Sequence, residues 1–383
     1  MLIEIHMIQN HSPANLNRDD LGAPKTCIFG GALRSRISSQ CIKRSIRFSP
    51  EFTELRGGIR TRRLAEKLYE QLSKEDIKTA EKILGAYSLI KKGKKSKKED
   101  SDEDAFNEES EVLIFTTYKG IKRMVEMIAD PELTYDDKVK RFNDLLTKCV
   151  HSPDMALSGR MLEAKGLKDT KVEAALQVAH AISTHIARPE IDYFVAADDI
   201  PGEDAGAGHI GESMFTSACF YKYFSLDWDQ LKRNLNGDEN LAAHTVGAFI
   251  KAAASSNPSG KQNSFAAHNF PDGILVEFSK IPISYANAFV KPIYFEKGTD
   301  IVEQSIGQLA NYVEDFVTGY CDDPSSRISF WFSPNGRHEL NIKSKNFAPQ
   351  HVDNLGELVS KVLDQLGNFD WDEVRQAKVY LGD

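Results

Sequence analysis

Residues 29–47 read Phe29-Gly30-Gly31-Ala32-Leu33-Arg34-Ser35-Arg36-Ile37-Ser38-Ser39-Gln40-Cys41-Ile42-Lys43-Arg44-Ser45-Ile46-Arg47. They hold five bases and no acid, in a chain whose net charge is −8. Two glycines loosen the backbone and two serines stand before a helical pattern. A flexible basic loop that feeds a helix N-terminus suits a run of phosphates, because free amide N–H groups and the helix dipole both favour anions there. An ordinary solvated loop with a helix cap fits the same charges equally well.

The other residue types that do chemistry are scattered. Asp19-Asp20 and Asp198-Asp199 are paired carboxylates of the kind that hold Mg²⁺ or act as a general base. Neither pair has neighbours that complete a site, and loop aspartates commonly cap turns. His180 and His185 fall five apart on a predicted helix and do not share a face, so no metal site is expected from them. The P-loop, the dinucleotide fingerprint, HExxH and GxSxG do not occur. Neither a cofactor nor a metal is expected. Tyr193, Phe194, Phe215 and Tyr221 lie on predicted strands, where aromatics can stack on bases. A place in the core suits Phe215 and Tyr221 better.

The elements that must position these residues follow from periodicity. Residues 2–8 alternate, with Ile3, Ile5 and Met7 on one face, as in a strand. Ser38 or Ser39 can cap a helix in which Ile42 and Ile46 form an apolar stripe, with Lys43 and Arg47 as a second i,i+4 pair. Apolar residues at 3–4 spacing predict helices over 62–84, 112–129, 135–150 and 171–187, the last ended by Pro189. Between them, a lysine run at 91–98 and an acidic tract to 111 cannot bury apolar area and read as a loop. Residues 191–196 and 214–224 predict two strands joined by a glycine-rich excursion, an extended hairpin. A helix over 241–254, a polar loop over 255–269 and a strand over 274–278 follow. Strand-like 327–332 and helices near 301–320 and 353–366 complete the chain.

Apart from the helical stretch, the order is strand, helix, strand, strand, helix, strand. That is the ferredoxin-like split arrangement, shared with the RNA-recognition motif, whose open sheet face is a platform for single-stranded RNA. The fold class expected is α+β. At 383 residues the chain can form two or three lobes. No apolar run reaches the length of a membrane helix, and no signal peptide opens the chain. Cys27, Cys41, Cys149, Cys219 and Cys321 are odd in number and lack a CxxC pair, which points to a reducing, cytoplasmic setting. The acidic balance leaves room for a local basic groove.

Several blocks resemble a known family. His11-Ser12-Pro13, Leu16-Asn17-Arg18-Asp19-Asp20, Ile28-Phe29-Gly30-Gly31 and Arg36-Ile37-Ser38-Ser39-Gln40 look like the N-terminal signature of the CasC backbone subunits of type I-E CRISPR Cascade, in the Cas-seven family of the RAMP superfamily. The likeness continues through Asp154-Met155-Ala156-Leu157-Ser158-Gly159-Arg160-Met161, Gln177-Val178-Ala179-His180, Pro189-Glu190-Ile191-Asp192-Tyr193-Phe194, residues 255–268 and Ala286-Asn287-Ala288-Phe289.

The resemblance implies an RNA-recognition-motif palm at 1–59 and 189–383. It also implies helical fingers at 60–188 and a β-hairpin thumb at about 191–220. It implies a filament of such subunits along a crRNA spacer, with the guide held for pairing with target DNA and with large, small, Cas-five and Cas-six type subunits as further partners. Arg18, Lys25, Arg34, Arg36, Ser38, Ser39, Gln40, Lys43, Arg44 and Arg47 would line the guide groove. Lys261, Gln262, Asn263 and Ser264 would form a second contact loop, and Met161 would help wedge the guide. Lys119, Lys122, Lys138, Arg141 and Lys148 are candidates for steering target DNA, although solvated helix faces also account for them. The role implied is binding rather than catalysis. The enzymatic alternative is a type III-like target-RNA endoribonuclease acting through Asp19 or Asp20.

Overall fold

The computed structural model describes residues 1–90, 110, 112–149, 151–168, 170–196, 209–295, 297–344 and 347–379. Most of the charged loop expected at 91–111, and Asp198-Asp199, lie outside the described residues. The chain divides into two compact units. The first comprises residues 1–51, 177–227 and 246–368, and the second comprises 52–176, 228–245 and 369–383.

In chain order the first unit opens with β1 (Leu2–Ala14), β2 (Thr26–Phe29), β3 (Ala32–Ile37) and α1 (Ser39–Arg47). The second follows with β4 (Gly58–Thr61), α2 (Leu64–Tyr69), α3 (Lys74–Ala86), β5 (Ile114–Thr117), α4 (Tyr118–Ala129), α5 (Tyr135–Lys148) and α6 (Pro153–Ser158). Then come β6 (Leu176–Val178), β7 (Ala181–Ser183), β8 (Glu190–Ala196), β9 (His209–Asp227), α7 (Trp228–Asn234) and α8 (Glu239–Ser255). The chain continues through α9 (Gln262–Phe265), β10 (Gly273–Ser279), α10 (Ile301–Tyr320), β11 (Ser329–Phe332), β12 (Gln350–Val352), α11 (Leu355–Asp364) and α12 (Trp371–Gln376). None of the described helices is long and apolar enough to cross a membrane.

The first unit is built on a sheet in the order β12-β11-β10-β1-β9-β7-β3-β2, with β6 and β8 also pairing to β9. The pairings β1–β10, β1–β9, β10–β11, β2–β3, β3–β7, β7–β9 and β8–β9 are antiparallel, and β11–β12 is parallel. This is a mixed α+β fold with a large, mostly antiparallel sheet.

Register assigns the two faces. Ile3, Ile5 and Met7 lie opposite Leu226, Phe224 and Lys222 on one face, where Phe249 of α8 meets Phe224 edge-on at 5.5 Å. Glu4, His6 and Ile8 lie on the other, covered by α10 and by the segment carrying Tyr285 and Phe289. There Glu4 and Glu277 are direct cross-strand partners. Tyr223, Ser225 and the Ile283 N–H donate to Glu4, while Tyr285 and Arg327 donate to Glu277, so each buried carboxylate is satisfied. Among the described residues, helices and a tyrosine-rich segment cover both faces of the central strands β1, β9 and β10, where an open single-strand platform was expected.

Three further expectations are corrected. Residues 171–187 are not a helix, since β6 and β7 lie there. Their alanines favour a helix locally, but pairing of Ile182 and Ser183 with Tyr221 and Phe220 in β9 overrides that preference. The helix expected from 112 begins only at Tyr118, after the β-branched and aromatic run Ile114–Thr117 pairs with β4. The single helix expected over 62–84 is two, because Ser73 caps α3 by accepting from the Asp76 N–H at 3.2 Å.

The second unit has its own core. Leu64, Leu68, Ile83, Leu84, Ile121, Met124, Ile128, Phe142 and Leu146 gather from α2, α3, α4 and α5.

Candidate nucleic-acid interface

The basic stretch does not begin as a flexible loop. Residues 26–37 form a β-hairpin whose two-residue turn is Gly30-Gly31, with φ of +59° and +73°. Two consecutive positive φ values match the twist of a tight antiparallel hairpin, and glycine adopts them without strain. Gly30 has a second reason to lack a side chain, since a Cβ there would stand 1.9 Å from the Val290 carbonyl oxygen.

Asn17 joins the hairpin to the helix. Its carbonyl accepts from the Lys25 N–H at 2.8 Å, and its side chain accepts from the Ser38 N–H at 2.9 Å. Ser38 is the cap of α1, accepting from the Cys41 N–H, and Ser39 is the buried first residue of the helix. No acid stands in the first turn of α1, and Arg44 and Arg47 stand in its last. Ile42 and Ile46 are buried, as the apolar stripe requires.

An open cleft of about 710 Å³ lies where the 16–22 turn, one face of α1 and the 257–260 loop meet. Arg18 and Arg44 supply its positive charge, opposed by Asp19 and Asp20, and Cys41, Ser45, Phe48 and Ser259 line the rest. The Arg44 and Arg47 guanidiniums lie 4.7 and 5.3 Å from the centre of the Phe48 ring. Asp19 folds onto its own turn, Oδ1 accepting from the Leu21 and Ala23 N–H groups at 2.9 Å each. Gln40 is exposed, and Lys43 is half-buried.

A narrower crevice beside it takes Lys25 and Arg36, with Asn17 and His11 in its walls. Arg36 Nη1 donates to His180 Nδ1 at 2.8 Å. Partial burial, then the charges of Arg36 and Lys25, push the His180 imidazolium pKa below its usual value, so the ring stays neutral beside two cations.

The 255–265 loop is held against this region. A Cβ on Gly260 would lie 2.5 Å from the Leu16 carbonyl oxygen, so the close approach needs glycine. Lys261 Nζ donates to Ser213 Oγ at 2.7 Å, and Phe265 packs on Phe215 at 5.6 Å, tying the loop to the root of the β8–β9 hairpin. Gln262 spends its amide N–H groups on the Pro258 and Ala267 carbonyls. Asn263 and Ser264 are exposed on α9. Along the hairpin, Ile191, Tyr193 and Val195 share a face with Met214, and all four are exposed. Tyr221, by contrast, is in the core.

Arg34 leaves the groove set. It is 0% exposed, and its guanidinium donates to the carbonyls of Ser183, Phe289 and Val290 at 2.8, 2.6 and 3.2 Å. Its charge holds β3 to its neighbours instead of meeting solvent.

In the second unit, Met161 is 74% exposed. It follows buried Arg160, which donates to the carbonyls of Thr170 and Phe115 at 2.7 and 3.1 Å and so fixes the segment. Among the steering candidates, Lys119, Lys122, Arg141 and Lys148 are exposed. Lys138 is not, because its ammonium is buried on the Ile128 carbonyl at 2.7 Å.

Sequence reasoning passed over a set of buried polar residues in the first unit. Lys222 is 2% exposed, and burial pushes its ammonium down to about 8. His11, Gln9 Oε1, Asn15 Oδ1 and Gln262 Oε1 are buried without a hydrogen-bond partner. A polar residue alternating into a strand's buried face was the available signal, at Lys222 between Tyr221 and Tyr223. Buried polar atoms of this kind are ordinarily met by ordered water.

With this geometry in place, comparison with known proteins adds three findings. Residues 3–361 match the model of a protein family described as CT1975-like protein, Cas_CT1975. The chain is similar in structure to one of a "CRISPR RNA-guided surveillance complex, pre-nicking", with a TM-score of 0.78 and 29% identity, covering 95% of this chain and 100% of that one. It is also similar to a chain of a "CRISPR RNA-guided surveillance complex", with a TM-score of 0.59 and 25% identity, covering 96% of this chain and 100% of that one. No curated protein matches the sequence.

Proposed function

This chain belongs to the CT1975-like family of Cas proteins, and on that premise we propose that it is the crRNA-binding backbone subunit of a type I-E Cascade complex. The observation that carries this reading is the pair of clefts built from the 16–22 turn, β3, α1 and the 257–260 loop. They set Arg18, Lys25, Arg36 and Arg44 along one surface of the first unit. Cations in such a row hold a backbone by its phosphates, while the bases stay free to pair with target DNA.

The finer architecture is part of the proposal. The antiparallel order β10-β1-β9, with β8 on the far edge of β9, supports an RNA-recognition-motif palm with its sheet faces covered. The second unit corresponds to the fingers and the β8–β9 hairpin to the thumb. The exposed stripe of Ile191, Tyr193, Val195 and Met214 supports a thumb that packs on a neighbouring copy in a head-to-tail filament. Large, small, Cas-five and Cas-six type subunits complete the assembly, in the cytoplasm, and cleavage of the target is left to other proteins.

The test is purification of the assembled complex with Arg18→Glu and Arg44→Glu together. The expected result is loss of crRNA, read as a fall in the 260/280 nm absorbance ratio, with the circular dichroism spectrum kept. RNA retention equal to that of the unaltered protein would remove the groove assignment. Regular cuts in a complementary RNA, abolished by Asp19→Ala, would replace it with the endoribonuclease reading.

A further inference from the structure

The second unit carries a separate cleft of about 330 Å³ that the guide groove does not use. Lys119, Arg123, His151 and Lys378 line it, and Asp238 is the one acid among its lining residues. One wall is the N-terminus of α4, a helix of 12 residues with no acid in its first turn. Thr117 caps that helix, its hydroxyl oxygen accepting from the Gly120 N–H at 2.9 Å while its hydroxyl proton goes to the Cys149 carbonyl. The positive end of the helix dipole therefore faces a cleft whose charged side chains are cationic except for Asp238.

The floor supplies an independent sign of a ligand. Ser152 is 1% exposed and lines the cleft. It stands at the N-cap of α6 but makes no capping bond, and its Oγ has no partner. Serine at a helix N-cap ordinarily uses its oxygen on the first turn, and a buried hydroxyl ordinarily finds a partner. An acceptor oxygen entering the cleft would give this one its bond.

Existing contacts take up only part of the cleft's charge: Lys148, which also lines it, pairs with Asp144 at 3.3 Å. Arg123 Nη1 meets Cys149 Sγ at 3.7 Å, a weak acceptor. Lys378 reaches Glu54 at 3.2 Å, with both side chains more than half exposed, so the pair is easily exchanged. Asp238 has one carboxylate oxygen engaged, accepting the Leu241 N–H at 2.9 Å.

We propose that this cleft binds a phosphate group between the α4 N-terminus, Arg123 and the Ser152 hydroxyl. The group is either free inorganic phosphate or a phosphodiester of a nucleic-acid strand. The proposal does not depend on the guide groove. Arg44→Glu alters one surface and Arg123→Gln the other, so the two readings fail separately.

The full-length protein is titrated in two arms, at constant ionic strength set with chloride. One arm uses inorganic phosphate followed by ³¹P line broadening, and the other a short DNA duplex followed by fluorescence anisotropy. Arg123→Gln is expected to weaken binding about tenfold in at least one arm, and Ser152→Ala is expected to weaken the same arm. A loss confined to the phosphate arm assigns a free anion, and a loss in the duplex arm assigns a strand's backbone. Lys119→Gln, on an exposed side chain, repeats the test should Arg123→Gln disturb folding. Unchanged affinity in both arms for all three variants overturns the proposal.

Discussion

Arg36 Nη1 lies 2.8 Å from His180 Nδ1, across 144 residues of sequence. A guanidinium has no lone pair to offer, so the imidazole accepts and keeps its own proton on Nε2. The contact fixes both the histidine's tautomer and the direction of the arginine at the mouth of the Lys25 crevice. A cation aimed by a neutral partner keeps its full charge for a phosphate, whereas one aimed by a carboxylate would not.

Arg36→Gln should therefore weaken crRNA binding and lower the slope of log K against log salt by about 0.7, the contribution of one phosphate on a single strand. Filter binding between low and moderate salt measures it. The same substitution should let the His180 pKa rise, followed by ring-proton NMR, because one of the charges that depress it is removed.

Arg34 and Arg44 should part company. Arg34→Ala leaves three carbonyls without donors, each costing about 1–3 kcal/mol when buried. Thermal denaturation should show a large fall in Tm. Arg44→Ala, on an exposed residue of the cleft, should leave Tm nearly unchanged and lower RNA affinity.

Gly30→Ala should destabilise the first unit more than Gly31→Ala. Both positions have positive φ, but only at Gly30 would a Cβ collide with backbone, 1.9 Å from the Val290 oxygen, whereas Gly31 has nothing within 4 Å. Strain of roughly 1 kcal/mol at Gly31, with a further cost from displaced backbone at Gly30, separates the two in urea unfolding.

Acid should weaken the fold through His6 and His11. Burial pushes each down to about 3, while the unfolded chain takes up these protons near 6.5. The unfolded state binds more protons between those values, so stability is full above 6.5 and falls as pH drops towards 3. Glu4 acts with the opposite sign above 4.5, because burial raises its carboxyl. Urea midpoints measured from pH 7 to 5 should fall, and His11→Asn should flatten the curve.

Lys222 should act at the other end of the scale. Its ammonium is pushed down to about 8 from 10.5, so the unfolded state holds the extra proton between those values and stability rises with pH across that window. Below pH 8 the penalty is complete, about 3 kcal/mol at 1.36 kcal/mol per unit. Lys222→Met should raise Tm at pH 7 and remove the rise above pH 8. A loss of stability at pH 7 in that variant would refute this account.

Much of the molecule was legible from local pattern. Alternation from Ile3 to Met7 gave β1, 3–4 spacing gave α4, α5, α8, α10 and α11, and the Ser38 cap with Ile42 and Ile46 gave α1. These signals are local, carried by side chains a turn or a pleat apart. The α+β class follows from them, as does the basic run from Arg34 to Arg47.

What the sequence could not supply was partnership. The Gly30-Gly31 pair reads as looseness until two strands close on it as a tight turn. Residues 176–183 carry a helical composition, and only the waiting edge of β9 makes them strands. Arg34 and Arg36, two apart on one strand, look alike in a charge count. The pleat sends one into the protein, onto three carbonyls, and the other to the surface beside His180. Charge is a property of the residue, so composition reveals it. Whether that charge is spent inside the fold or kept for a ligand depends on which distant backbone comes to lie beside it, and tertiary structure alone decides that.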